Sequence, residues 1–394
     1  MTRPILTIGQ PMAAATDAAP RRRLAGANIA VDARYVQRRG MGIRKYLADA
    51  ISVLTDEGAS VTLLTNFPSG PYVGSFPGVE WACFGSRRNI VWEQLQLPLF
   101  LRRHAFDLYW APASVGMPLL PVPRTWKLST THDVIPLRLP AMYLMRDPGF
   151  AIPYLVWTAA AMLRSDVLIT DSHAAAADIR HYFRRHAVVV PPVFGGGARP
   201  SRGGNLPEGL AGRSYLVYNG GIDPRKNVGN LLAGFAIAAR RDPSVHLALM
   251  GDGYEYYAPL IADLGISERI VMTGYVDEDT KNAILASGLA LVYPSLYEGF
   301  GLPILEAFTA GLPVLSCRNS ALEEVAGDAA VYVDPRDPES IAAGISEVCR
   351  GETATQLRAK GAERLARYAP ERAREELLDV VEHGIVAARS RRSH

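Results

Sequence analysis

The 394-residue chain has only three cysteines, Cys83, Cys317 and Cys349, too few and too widely spaced for a disulfide framework or a metal knuckle. That scarcity fits a reducing compartment. Charge of one sign is also missing: 42 Lys and Arg against 39 Asp and Glu leave a formal net charge of +3, too small to argue for nucleic acid or a membrane. Long hydrophobic runs are absent. The longest mostly apolar stretch, residues 151–163, is too short to span a bilayer. It reads as a buried helix, with a helix lying on a membrane face as the second reading. Residues 5–8 are too short an apolar core for a signal peptide, so a soluble cytoplasmic protein is expected. There is no G-x-S-x-G elbow and no cysteine with a nearby histidine, which argues against a nucleophilic triad. The pair Gly40 and Gly42 lacks the third glycine and the downstream acid of a dinucleotide fingerprint, which argues against a nicotinamide or flavin enzyme. The acidic triplet Asp277, Glu278 and Asp279 reads as a helix start, since acids favour the first turn; no metal site is expected.

What is present is enough for two domains. The apolar content is 48% and the charged content 21%, as in a globular protein. Residues 1–26, rich in Ala and Pro and ending near Arg21, Arg22 and Arg23, read as a mobile leader. Strand-like runs at 29–31, 61–65, 107–110, 126–131 and 167–170 then alternate with helical stretches, the pattern of βα units on a parallel sheet. A Pro/Gly-rich linker, 193–212, breaks the chain, and the pattern restarts with runs at 215–218, 245–250, 270–272, 289–293, 313–316 and 330–333. Leu377, Leu378, Val381 and Ile385 recur at helical spacing in a final segment, 371–394. The expected fold class is α/β, with two Rossmann-like domains, 27–192 and 213–370, facing each other across a cleft.

The chemistry concentrates around Glu298 and Glu306. These carboxylates bracket a glycine turn and a proline, between a strand-like run and a helix-like one. Such a loop lies where open α/β sheets bind ligands, and its amides and helix start favour phosphate. Carboxylates beside a phosphate would repel it, so they are expected to accept hydrogen bonds from hydroxyls. The ligand is therefore both phosphorylated and polyhydroxylated. Gly220 and Gly221, the turn at Asp223-Pro224, then Arg225 and Lys226 open the second half: a phosphate grip or an exposed turn. Gly251 and Gly253 form a tight turn or border a pocket. His132 and Asp133 follow a strand and enter the cleft, in a site role or a structural one. Asp171 and Ser172 have a cap for the alanine-rich helix that follows them as the first reading and a site role as the second.

In this order the motifs resemble those of the family-4 retaining glycosyltransferases of GT-B fold. Residues 298–306 resemble the family's E-x7-E segment, 219–227 its G-G…R-K-N segment, Gly40 and Gly42 its N-terminal glycine loop, and His132-Asp133 its H-D segment. The resemblance covers roughly 28–385. It implies an acceptor-binding first domain and a second domain that binds a nucleotide sugar. Arg225 and Lys226 would hold the diphosphate, and Glu298 the donor-sugar hydroxyls. Amides of Phe300, Gly301 and Leu302 would lie beside sugar and phosphates, with Gly40, Gly42, Gly220 and Gly221 also bordering the donor. Glu306 would take the ribose, His132 would approach the sugar from the opposing domain, and the last helix would cross back to the first. The reaction implied is hexose transfer with retention, without metal, cofactor or protein general base, from GDP-mannose as first choice. The implied acceptor is a saccharide or lipid-linked saccharide of bacterial polysaccharide or glycolipid assembly, with peripheral membrane contact; nucleic acid is not an expected partner. One departure is that Ile43, Arg44, Lys45 and Tyr46 follow the glycine loop, where many members place Arg-Tyr directly after it. The rival readings are a nucleotide-sugar epimerase and a non-catalytic partner subunit.

Overall fold

Two parallel sheets carry the fold. The protein is described by a computed structural model covering residues 22–34, 42–67, 76, 78–195 and 206–393. In chain order the strands are β1 (Asn28–Asp32), β2 (Ser60–Thr65), β3 (Glu80–Cys83), β4 (Leu108–Ala111), β5 (Trp126–Thr130), β6 (Val167–Thr170), β7 (Val188–Val189), β8 (Ser214–Asn219), β9 (Val245–Met250), β10 (Ile270–Gly274), β11 (Leu291–Val292), β12 (Val314–Ser316) and β13 (Ala330–Tyr332). The first sheet runs β3-β2-β1-β4-β5-β6-β7 and the second β10-β9-β8-β11-β12-β13. Tyr215, Leu216, Val217 and Tyr218 of β8 are all buried, so both faces of that strand are covered, as a parallel sheet between helix layers requires. Each strand order reverses once, between β1 and β4 and between β8 and β11. Those switch points are where open α/β sheets leave a crevice beyond their carboxyl ends. These are the two Rossmann-like domains that the alternation of runs implied and that the family resemblance described as GT-B.

Two strands were not anticipated. β3 and β7 are edge strands, respectively half-exposed and two residues long, and carry little apolar periodicity. The helix Pro370–Arg392 leaves the second domain and packs on the first sheet, where Leu377, Leu378, Val381 and Ile385 share a core with Val31, Leu108 and Trp126. Gly384 permits that approach: a Cβ there would stand 2.1 Å from Cε3 of Trp126. Arg389 and Arg392 fix the helix end through Asp107, at 3.1 and 3.0 Å.

Three expectations need correction. The leader does not extend to residue 26: Leu24 is buried, and Arg23 pairs with Glu375, Asp379 and Glu382 of the last helix; residues 1–21 lie outside the described residues. Of the linker 193–212, residues 196–205 lie outside them too, while Phe194 and Leu210 are built into the second core. The apolar run 151–163 lies within a helix, Pro148–Arg164, that is not buried all round. Its small or slender residues Ala151, Thr158, Ala161 and Met162 face inward, while Ile152, Val156 and Leu163 are 54, 57 and 69% exposed. Composition alone concealed that the large aliphatic side chains fall on one outer stripe.

Candidate functional site

The loop after β8 delivers two cations to a fixed place. The Asp223 carboxylate accepts from the Arg225 amide at 3.1 Å and caps a short 3-10 turn, Pro224–Lys226. Asn227 ends that turn at a φ of 61°, and its Nδ2 donates to the Pro294 carbonyl at 3.0 Å. The turn is thereby tied to the loop that follows β11.

That second loop carries Glu298, which is 6% exposed. Its carboxylate accepts from Lys226 Nζ at 2.7 Å, from Tyr293 Oη at 2.9 Å and from the Arg225 guanidinium. Its own amide donates to Ser320 Oγ at 3.0 Å. Burial by itself would push the Glu298 carboxyl up, but Lys226 and Arg225 outweigh it and hold the group down at about 2. Burial lowers the Lys226 ammonium, with Glu298 opposing that shift. The result is a closely packed ionic centre whose charges are matched by geometry rather than by water.

Glu306 lies one helix turn past the start of Leu302–Thr309 and is half-buried. It accepts from Asn219 Nδ2 at 3.0 Å and from Lys281 Nζ at 2.8 Å. Burial works against the Lys281 charge, and Glu306 more than restores it, leaving the ammonium raised. Asn219 ends β8, so Glu306 and the Gly220-Gly221 turn border one space at the carboxyl edge of the second sheet. Phe300 is buried in the second core, stacked edge-on to Tyr368, and so offers the cleft its backbone rather than its ring.

The opposing domain supplies His132. Its Nδ1 meets Asp171 Oδ2 at 2.7 Å and its Nε2 meets the Pro112 carbonyl at 2.9 Å. Both partners are acceptors, so both ring nitrogens donate and the ring is an imidazolium. Burial opposes that charge; Asp171 overrides it and pushes the group up to about 9. With neither nitrogen lone pair free, His132 is not arranged as a general base. Tyr46 packs edge-on against it with ring centroids 5.0 Å apart.

The halves meet at the Glu298 loop. Gly299 passes so close to the first domain that a Cβ there would stand 2.6 Å from the His132 carbonyl. Ser172 Oγ donates to the Gly299 carbonyl at 2.7 Å and accepts from the Ala175 amide at 3.0 Å. It thus acts as the expected helix cap and as a domain contact at once. Tyr143 Oη donates to Asp223 in the turn that carries Arg225 and Lys226.

His132, Arg225, Lys226 and Glu298 are therefore gathered around the cleft, with Glu306 on its second-domain side. Gly42 opens the helix Gly42–Asp56 and is exposed; Gly40 lies outside the described residues. Sequence reading missed Tyr293, Asn219 and Lys281, whose single polar groups carry no pattern of their own. It favoured a cap over a site role for Asp171, although an acid just past a strand end, beside a strand followed by histidine, was a usable signal. Asp277 does cap the helix Glu278–Ser287, accepting from the Thr280 amide at 2.7 Å.

Two family models match this chain: Glycosyltransferase Family 4 over residues 41–193 and Glycosyl transferases group 1 over residues 208–372. The O-antigen chain mannosyltransferase B of Escherichia coli is 36% identical over 141 residues, which are 34% of this chain and 37% of that protein. The chain thus matches little more than a third of that relative's length. Sucrose-phosphate synthase from Thermosynechococcus elongatus superposes with a TM-score of 0.75 at 17% identity, over 92% of this chain and 100% of the other. Anabaena HepE, solved in complex with UDP-glucose, superposes with a TM-score of 0.70 at 17% identity, over 90 and 99%.

Proposed function

The chain belongs to the family-4 glycosyltransferases of GT-B fold, and on that basis we propose that it moves a hexose from a nucleotide sugar to a hydroxyl of a saccharide or lipid-linked saccharide. The observation that carries the proposal is the Arg225–Lys226–Glu298 centre at the carboxyl edge of the donor-side sheet. The donor is GDP-mannose in the first instance, in keeping with the mannosyltransferase relative. A nucleotide-sugar donor is in keeping with the UDP-glucose in the superposed HepE.

When the glycosidic bond to phosphate breaks, negative charge grows on the leaving diphosphate and positive charge on the sugar. Arg225 and Lys226, with the start of Leu302–Thr309, stabilise the first without a metal. Incoming phosphate oxygens exchange with the Glu298 carboxylate on those two cations. Glu298 then accepts from sugar hydroxyls and faces the developing positive charge. Glu306 and Asn219 take the ribose. The acceptor hydroxyl attacks from the face that the diphosphate leaves and passes its proton to the departing phosphate oxygen, so the anomeric configuration is retained. His132 serves as a fixed cation beside the Glu298 loop rather than as a base.

Peripheral contact with a membrane is part of the proposal. No helix among the described residues is long and apolar enough to cross one. The outer stripe Ile152, Val156 and Leu163, with Met145 79% exposed just ahead of it, begins beside Tyr143 at the cleft, where a lipid-linked acceptor would enter. Vesicle flotation checks this: binding should be lost in Val156→Glu, and equal flotation of that variant would count against it.

A thermal-shift screen of nucleoside diphosphates and nucleotide sugars tests the donor assignment, because a ligand of the native state must raise its melting temperature. GDP and GDP-mannose should give the largest shifts. A flat response to every nucleotide would overturn the assignment.

A further inference from the structure

Glu298 is gripped on both flanks by one helix of the opposite domain. Ahead of it in sequence, the Tyr297 hydroxyl donates to Asp178 Oδ2; behind it, the Gly299 carbonyl accepts from Ser172. Asp178 and Ser172 belong to the helix His173–Phe183 and its cap, and the residue before the cap, Asp171, is the one that holds His132. A single helix start therefore sets the positions of both His132 and the loop carrying Glu298. Glu324, from the second domain, completes the contact by accepting from the His173 and Ala174 amides at 3.0 Å each.

Within this set the Tyr297–Asp178 contact stands out chemically. Asp178 is 1% exposed and its other oxygen is taken by Arg138, with Nε at 2.8 Å. The first domain thus presents a buried and oriented carboxylate with one oxygen on Arg138 and the other on a donor from across the cleft. Tyr297 is 9% exposed and adjacent in sequence to Glu298, and its carbonyl accepts from Arg225 Nη1 at 3.1 Å. Its backbone therefore touches the diphosphate-binding cation while its side chain touches the other domain. Burial and then Asp178 push the phenol upward, so it remains a donor.

We propose that Tyr297 and Asp178 form a positioning pair: their hydroxyl–carboxylate contact couples the approach of the two domains to the placement of Glu298 against the donor sugar. Neither residue touches substrate. The contact is made only when the domains are together, so its free energy is available for ordering the catalytic loop at that moment and not for binding nucleotide to the second domain alone.

The inference rests on the transferase reading, and the test separates the two. Wild-type enzyme that turns over no nucleotide sugar sinks the transferase reading. If the wild type turns over, Tyr297→Phe, which keeps the ring and removes only the hydroxyl, should lower kcat about ten- to a hundredfold, as loss of a hydrogen bond to a charged group does. Donor KM and the Kd for GDP should stay within about twofold, because Arg225, Lys226 and Glu306 are untouched. Asp178→Asn should behave alike, and the double variant should be no worse than the worse single one. An unimpaired kcat in Tyr297→Phe, a GDP affinity that falls in step with kcat, or additive effects in the double variant would each overturn the pairing.

Discussion

Glu298 and Glu306 stand eight residues apart in one loop–helix unit, yet their surroundings have little in common. Glu298 is buried between two cations and a tyrosine, with its loop clamped by the other domain. Glu306 is half-buried, touches one lysine and one asparagine of its own domain, and among the described residues makes no hydrogen bond or ion pair across the cleft. The difference teaches what each carboxylate can do. A group whose partners are Arg225 and Lys226, the cations proposed to hold the diphosphate, and whose loop is clamped by the other domain can act differently in ground and transition states. A group fixed inside one domain binds both states alike.

The sharpest way to break this comparison is Glu298→Gln. Transfer should fall about a thousandfold, the scale for removing one preorganised charge partner. Stability should fall by about 3 kcal/mol, because Arg225 and Lys226 would be left buried without a carboxylate. Steady-state rates and urea melts check both; activity within tenfold of wild type would make the two glutamates equivalent. Lys226→Ala comes next, with kcat down about a hundredfold and KM little changed, since its charge matters most as the diphosphate departs. An unchanged kcat would remove Lys226 from the chemistry. Glu306→Gln should raise donor KM about tenfold and leave kcat nearly alone, the mark of uniform binding. A collapse of kcat with constant KM would reverse the roles.

The smallest effect is a pH dependence that contrasts Glu298 with His132. The Glu298 carboxyl is held near 2, below the ordinary 4.5, so its stabilising contribution is present above that ordinary value and is lost as pH falls toward 2. His132 is raised from 6.5 to about 9, so its contribution is complete below 6.5 and is lost as pH rises through 9. Asp171→Asn should therefore bring the His132 NMR titration well below 9 and flatten the loss of stability between pH 6.5 and 9. A titration that stays near 9 would show that Asp171 is not the cause.

The sheets were legible because their central strands carry short runs of buried aliphatic and aromatic residues bounded by turn residues, as at β8, where the run 215–218 is followed by Gly220, Gly221 and Pro224. The cluster of Arg225, Lys226 and Glu298 was legible because each lies in the loop that follows a strand, at the carboxyl edge of the second sheet. What stayed hidden depends on partners distant in sequence. Tyr297 finds Asp178 across 119 residues, and Ser172 finds Gly299 across 127. The helix Pro148–Arg164 misled for a different reason: the run is apolar on both sides, so hydrophobicity could not say which side meets solvent.

The measurement closest to the central claim is an NMR time course of GDP-mannose with a mannose-terminated acceptor, run in EDTA. The account predicts release of GDP together with a new α-linked mannosyl signal matching the configuration of the donor. A β-linked product, or turnover that stops when the chelator is added, would contradict it.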